Sequence, residues 1–453
     1  MGIFYSSIID SSDSEVFKWY SRSGAFSRLS PPWNLVSINY EAKSIRNGYA
    51  KLNLPAKLYW NFKHLSSQYN PPNRFLDKTN NYNLVAIYIS PLLQWSHTHF
   101  FEAISSKKTR VIDLVETRVS KHFFQNMFAY RHQQLTDDLY SHKQAYIKGF
   151  KSVNIAITGS SGLIGSALVN FLNTGGHRVI KLVRRKFVNY NERQWNPDNP
   201  DFRILDDIDV LVHLAGAPIA GRFTYKHYKT IKNSRVKPTI QLIKLINQTT
   251  SKLKVIITAS AIGFYGQNCS NEILTENSKK GSGYLAEITS KWESVLDRAN
   301  ISNIRKVHIR TGIVQSPTGG MLGSLLPLFS TGLGNNIGKG QNWLSWIGID
   351  DLIDIYYRAM WDSKISGPIN AVSPQPVCYQ EYVHTLGSIL HRPTVLSLSP
   401  YIVKILFGKS LTKEIIYSNK KVVPLVLKSL GHHFRQPSLE KALRHILGYT
   451  LNN

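Results

Sequence analysis

Two hydrophobic rhythms divide this chain near position 150. Before it, apolar and polar residues alternate over short runs, the period of half-buried strands. Strands are expected at 3–9, 35–40, 48–54, 58–62, 73–77, 92–101 and 109–118. A short amphipathic helix interrupts them at 14–20, with Asp13 or Ser14 as its cap, and Ser30-Pro-Pro-Trp33 breaks the chain. A longer amphipathic helix is expected over 123–142. Strands embraced by a long closing helix make an α+β helix-grip arrangement, which usually encloses an apolar cavity. Residues 143–152 read as a linker, so the first domain is placed at 1–145.

From Val153 onward, β-branched runs alternate with segments of helical spacing. That is the pattern of a parallel sheet covered by helices on both faces, an α/β Rossmann fold with a doubly wound parallel sheet. Its first unit is Asn154-Ile-Ala-Ile-Thr-Gly-Ser-Ser-Gly-Leu-Ile-Gly165, a strand that breaks into three glycines and runs on as a helix. Gly159 permits the turn, Gly162 lets backbone approach a diphosphate, and Gly165 lets helix and strand pack closely. With Ser160, Ser161, Leu163 and Ile164 these residues form a candidate cofactor loop, and the helix N-terminus offers free N–H groups to the phosphates. Residues 179–183 read as the second strand, which ends in Arg184-Arg185-Lys186. An acidic residue there would suit the ribose of NAD, whereas Arg184 and Arg185 suit the extra phosphate of NADP. NADP(H) is therefore expected over NAD(H). Leu214, Ala215 and Gly216 follow a further strand and form a small-residue turn able to pass under the adenosine. After about Leu322 the pattern loosens, with helices expected at 379–390 and 439–447. Gly319-Gly320, Gly332-Leu-Gly334, Trp343 and Trp346 read as the rim of a substrate pocket.

Composition narrows the classes. The net charge is +27, with 18 basic against 10 acidic residues up to position 150 and 37 against 18 beyond it. The excess is spread out, and no basic run interleaves with aromatics, so no specific nucleic-acid partner is expected. Two cysteines, Cys269 and Cys378, cannot build a disulfide framework. They fit a reducing, cytoplasmic location. No apolar run reaches the length of a membrane span, so no membrane partner is expected.

Further stretches carry a family resemblance. They are His213-Leu-Ala-Gly-Ala-Pro-Ile-Ala220, Ile231-Lys-Asn-Ser-Arg-Val236, Ala259-Ser-Ala-Ile-Gly-Phe-Tyr-Gly266, Trp292-Glu293, Arg310-Thr-Gly-Ile-Val314, Ser345-Trp-Ile-Gly-Ile-Asp-Asp351 and Gly367-Pro-Ile-Asn-Ala-Val372. With the glycine loop, they resemble the epimerase-family branch of the atypical short-chain dehydrogenases/reductases. The resemblance implies NADP(H) binding over 153–376 and a small C-terminal helical domain at 377–453. Some members of the branch carry a cell-division-inhibitor label. Ser23-Gly-Ala-Phe-Ser-Arg-Leu-Ser-Pro-Pro-Trp33, Trp95-Ser-His-Thr-His-Phe-Phe101 and Met127-Phe-Ala-Tyr-Arg-His132 resemble the helix-grip SRPBCC (START-like) ligand-binding domain fused in front of some members.

The resemblance also locates the chemistry. Short-chain dehydrogenases use a Tyr-x-x-x-Lys pair, in which the ammonium lowers the phenol's pKa and a Ser or Thr orients the substrate oxygen. Ser260 falls at the hydroxyl position and Tyr284 near the tyrosine position, but the residue four beyond Tyr284 is Ile288. Lys291 lies roughly 10 Å along the helix axis and cannot replace the lysine. Tyr265 is an alternative acid or a substrate-stacking residue. Asp350 and Asp351 are expected to cap a helix. Arg235 and Arg310 either meet a substrate anion or form structural ion pairs.

In the first domain His97 and His99 share a strand face and, with His132, can be considered as metal ligands. No carboxylate or cysteine motif supports them, so no metal is expected. Tyr20, Trp33, Trp60 and Phe101 are expected to line or pack that domain's core, around a possible apolar ligand. Two functional readings stand: an NADP(H)-binding oxidoreductase or epimerase-like enzyme acting on a small-molecule substrate, or a catalytically silent sensor that keeps the cofactor. The missing lysine favours the second and the shaped rim the first. The sequence leaves the substrate and the oligomeric state open.

Overall fold

The computed structural model describes residues 2–34, 36–80, 94–118, 120, 124–186, 189–219, 224–248, 252–266, 268–334, 336–337, 340–394, 397–398 and 419–449. Residues 35, 92–93, 123 and 220, which the expectations above include, lie outside them. Contact density divides the chain into two compact units, and each is described by itself.

The first unit comprises Met1–Ser152 with Val169–His177 and His445–Asn453. Its strands are β1 (Gly2–Ile9), β2 (Ser37–Tyr40), β3 (Tyr49–Asn53), β4 (Tyr59–His64), β5 (Arg74–Thr79), β6 (Trp95–Ser105) and β7 (Lys108–Thr117). They form one antiparallel sheet in the order β1-β7-β6-β5-β4-β3-β2. Period-two alternation turns Trp95, His97, His99 and Phe101 of β6 inward, with Val111, Asp113 and Val115 of β7. Among the described residues it is covered by α1 (Asp13–Ser21), α2 (Ala25–Leu29) and α3 (Gln125–Ile147). Val16, Phe17, Trp19, Leu29, Phe75, Phe101, Leu135 and Leu139 make the core between helices and sheet.

Local chemistry sets the helix ends, and it corrects two expectations. The cap of α1 is Ser12, not Asp13 or Ser14. Its hydroxyl accepts from the Glu15 N–H, and the Glu15 carboxylate accepts from the Ser12 N–H, a capping box. α3 runs five residues past the expected 142 and stops only where Gly149 adopts φ +83, with Gly149 N–H donating to Tyr146 O and Phe150 N–H to Ala145 O. The short α2 has no cap of its own, because Gly24 precedes it. The Glu41 carboxylate serves instead, accepting from Gly24 N–H and Phe26 N–H, each at 2.8 Å. Arg28 of α2 makes a buried two-pronged pair with Asp138 of α3 at 2.7 and 2.8 Å.

The second unit comprises Val153–Leu168 and Arg178–Arg444. The strands of its main sheet are β8 (Asn154–Thr158), β9 (Arg178–Val183), β10 (Glu192–Gln194), β11 (Val210–His213), β12 (Val255–Ala261), β13 (Arg305–Thr311) and β14 (Gly367–Ala371). All are parallel, in the order β10-β9-β8-β11-β12-β13-β14. This is the expected doubly wound Rossmann-type sheet, whose strand order reverses between β8 and β11. The helices of the crossovers are α4 (Leu163–Thr174), α5 (Tyr225–Gln248), α6 (Tyr284–Asp297) and α7 (Ile349–Trp361). Strands buried on both faces explain the unbroken apolar runs: Ala156, Leu211 and Ile256 meet Leu242, Leu245 and Leu296 in one cluster. Asn419–Val422 pairs with Asn268–Leu274, which ties that later segment to this unit.

Candidate cofactor and active site

The glycine turn lies at the carboxyl end of β8, beside the point where strand order reverses. Gly159 holds φ +70, and a Cβ there would stand 2.9 Å from Ala215 N and from Leu214 C. At Gly165 a Cβ would fall 2.1 Å from Gly159 O, so helix α4 could not approach its strand. At Gly162 the nearest atom would be 3.4 Å away, so packing does not demand a glycine there. The turn is tied to the end of β11. Thr158 O accepts from Leu214 N–H, and Thr158 Oγ1 accepts from Ala215 N–H, both at 3.2 Å. Thr158 Oγ1 also bonds His213 Nδ1 at 2.7 Å. Burial and the nearby Arg235 charge hold His213 neutral, with its pKa lowered to about 4.

Arg235 makes no ion pair among the described residues. Buried, it donates to Ala217 O at 2.9 Å and lies 5.3 Å over the Trp292 ring, so it braces the 214–217 turn from behind. Desolvation lowers its pKa to about 10. Beyond β9, Arg185 pairs with Glu192, while Arg184 is exposed. These features fit a dinucleotide: a cradle that a side chain would fill, the first-turn N–H groups of α4 that have no partner inside the helix, and a cation past the second strand.

Behind this edge lies a closed polar network, built by register. Parallel pairing sets Ser260 of β12 beside Arg310 of β13, and Arg310 beside Asn370 of β14. Ser260 Oγ donates to Glu293 Oε1 at 2.6 Å. Arg310 grips the same carboxylate through Nε at 3.0 Å and Nη2 at 2.8 Å, so it forms an ion pair. It also donates through Nη1 to Tyr265 OH at 3.0 Å and lies 3.5 Å over the Phe264 ring. Tyr265 OH in turn donates to Asn370 Oδ1 at 2.7 Å. Asn370 N–H donates to Glu276 Oε1 at 3.0 Å. Ser260, Tyr265, Glu293, Arg310 and Asn370 are all buried. Burial raises the Tyr265 pKa, although Arg310 and Asn370 pull it the other way.

Tyr284 stands apart as the first residue of α6, half-buried, with its ring edge-on to Tyr228 at 6.2 Å. Ile288, where a lysine would sit, is packed in the core, and Lys291 is exposed. Two other expectations are corrected. The cap of α7 is Gly348, and Asp351 serves a different backbone, accepting from Arg435 N–H at 2.6 Å and Gln436 N–H at 3.2 Å. Burial, then the Asp354 charge, pushes its pKa up to about 7. Trp346 is no rim residue, since it is fully buried and its indole donates to Gln375 O. Sequence reasoning missed Glu293 as the hub and Asn370 as its neighbour, although both stand in the stretches singled out above.

The NAD-dependent epimerase/dehydratase family model matches residues 155–370, from β8 to the asparagine of the network. The epimerase family protein Mb2239 of Mycobacterium bovis is 37% identical over 292 residues, which cover 64% of this chain and 96% of that protein. The chain belongs to the epimerase family. Among solved structures, the nucleoside-diphosphate sugar epimerase from Corynebacterium glutamicum matches 99% of this epimerase-family chain and 90% of its own, at TM-score 0.84 and 37% identity. The human epimerase family protein SDR39U1, solved with NADPH, matches 65% of this chain and 99% of its own, at TM-score 0.59 and 27% identity. The family thus covers the parallel-sheet unit, and no helix among the described residues is long and apolar enough to cross a membrane.

Proposed function

We propose that this chain is an NADP(H)-dependent oxidoreductase or epimerase-like enzyme acting on a small molecule in a reducing, cytoplasmic compartment. One observation carries the reading. The glycine turn is clamped to residues 214–216 at the switch point, with Arg184 exposed past the next strand. The cofactor, when bound, supplies the hydride donor or acceptor. Gly159, Ser160, Ser161, Gly162, Leu163, Ile164 and Gly165 hold its diphosphate, and Leu214, Ala215 and Gly216 underlie the adenosine. Arg184 takes the larger share of the extra phosphate, because Arg185 is already shared with Glu192.

Ser260 orients a substrate oxygen, and Tyr284 holds or moves a proton at its hydroxyl. Tyr265, bonded as both donor and acceptor, positions Arg310 and Asn370. With Ile288 in place of lysine, nothing on α6 lowers the tyrosine pKa as the lysine of the pair would, so turnover is expected to be slow. Residues 1–145 serve as an SRPBCC-like helix-grip domain with an apolar ligand, and 377–453 as a small covering domain. The Corynebacterium relative makes nucleoside-diphosphate sugars the first substrates to try.

The test is a fluorescence titration with NADPH and with NADH on wild type and Arg184→Ala. We expect NADPH binding to weaken at least about 10-fold in the variant, the loss of one charged hydrogen bond or more, with NADH unchanged. Failure of wild type to bind either nucleotide would overturn the reading.

A further inference from the structure

The antiparallel unit encloses a cavity of about 390 Å³. Its wall is mostly apolar and includes the aromatic rings of Tyr20, Trp33, Trp60, Phe75 and Trp95. Phe101 is packed in the core instead. Among the charged and titratable side chains in that lining, which include Arg22, Glu41, His64 and Arg131, three come together with donor atoms within 4.8 Å of one another: Asp77, His97 and His99. Register brings them there. Asp77 of β5 pairs with His97 of β6, and His99 of β6 pairs with Asp113 of β7, all on the inward face.

The two imidazoles are held between two carboxylates that differ in kind. Asp113 is fully buried and lies behind the rings. Its Oδ1 is 3.0 Å from His97 Nε2 and 2.7 Å from His99 Nδ1. Its Oδ2 is 3.1 Å from His132 Nε2, and His132 Nδ1 bonds Ser7 Oγ at 2.6 Å. A neutral imidazole has one N–H. His97 Nε2 bonds Asp113 at 3.0 Å, and His99 Nδ1 stands 2.7 Å from the same oxygen without hydrogen-bond alignment; with the protons on these two nitrogens, a lone pair remains on His97 Nδ1 and on His99 Nε2. Those two nitrogens face Asp77, whose Oδ1 lies 3.7 and 3.2 Å away. Three donors about 2.0–2.1 Å from one ion at tetrahedral angles stand roughly 3.4 Å apart, so the measured spacings bracket the required one. A buried carboxylate that takes the outer N–H of a ligand histidine is the usual support of a metal site, and Asp113 does so for His97. On the cavity side, the Tyr20 hydroxyl is buried without a hydrogen-bond partner among the described residues. Its ring lies 5.4 Å from that of His99.

We propose that Asp77, His97 and His99 bind one divalent first-row transition-metal ion, zinc or iron(II) in class, with its remaining positions open to an oxygen- or nitrogen-donor molecule in the cavity. Two nitrogens and one carboxylate with open positions suit such ions, whereas magnesium and calcium prefer oxygen ligands throughout. Asp113 positions the rings. No metal is expected from the sequence, because the carboxylates are distant along the chain and meet the histidines only through strand pairing.

The experiment is a cobalt(II) titration of the full chain, first stripped with chelator, followed by visible absorption. We expect one equivalent to bind with the intense bands of four- or five-coordinate cobalt. His97→Ala and Asp77→Ala should abolish them, and Asp113→Asn should weaken binding about 10–100-fold. X-ray absorption of the zinc-loaded wild type needs no variant and should show two imidazoles on the ion. Absence of stoichiometric uptake, binding unchanged in a His97→Ala, His99→Ala chain, or scattering without two imidazoles would each overturn the proposal.

Discussion

The two units each bury a cluster of charged side chains, and the clusters differ in whether they are closed. Around Arg310, each polar group that Ser260, Tyr265, Glu293 and Asn370 direct inward has a protein partner, and the bidentate grip on Glu293 balances the charge. Around His97 and His99, two carboxylates share two rings, and one side of the group opens on a cavity with a phenol that has no hydrogen-bond partner among the described residues. The lesson concerns how to weigh buried polarity. A network whose charges are matched among its own members is scaffold, and of this one only the Ser260 oxygen, which donates to Glu293 and accepts no hydrogen bond among the described residues, is left to face a substrate. A network that ends at an open wall marks a site.

The largest expected effect attacks the closed network. Glu293→Ala strands the buried Arg310 guanidinium and should cost about 3–5 kcal/mol, read by denaturant unfolding. A loss under about 1 kcal/mol would mean the network is open to water, and the contrast would fail. Next comes Asp351, whose carboxyl is raised to about 7 when folded. The folded chain then holds a proton that the unfolded chain releases near the usual carboxylate value. Its contribution is full below about pH 4 and is lost as pH rises through about 7, a swing on the order of 4 kcal/mol at most. Relative to wild type, Asp351→Asn should therefore gain stability over that window, and parallel pH profiles would refute the sign. Tyr265→Phe is the smallest and sharpest. It leaves Asn370 Oδ1 and Arg310 Nη1 each short of a partner and should cost about 1–3 kcal/mol. As Tyr265 is a positioning residue, the pH dependence of turnover should stay unchanged. A lost or shifted pH limb would make it the acid instead.

Much of this was legible in sequence because the signals are local. The glycine turn, the continuous β-branched runs of β8, β11 and β12, and the basic end of β9 depend on neighbours within a few residues. Ser260 was placed at the strand end from its motif alone. What escaped depends on pairing. Asp77 and Asp113 lie 20 and 14 residues from His97 and His99 along the chain, and only register sets them face to face. Asp351 looked like a cap because acidic residues open helices, yet its carboxylate turned to a backbone 84 positions away. The overrun of α3 has a simpler reason: Lys143 and Gln144 begin a stretch without a clear apolar stripe, since Tyr146 and Ile147 stay exposed, and it looks like a linker until Gly149 is read as the stop.

The Glu41 carboxylate at the head of α2 has a consequence for how the first unit assembles. Five residues are too few to hold a helix in water, and the group that completes this one arrives 15 and 17 positions later in the chain. α2 therefore cannot be an early nucleus. It takes shape only once the chain around Glu41 has come back alongside it, and it brings in the arginine whose charge Asp138 is waiting to neutralise. Ala25, Phe26 and Leu29 of that helix line the cavity, as does Glu41 itself, so one carboxylate holds the helix start and completes the cavity wall at once.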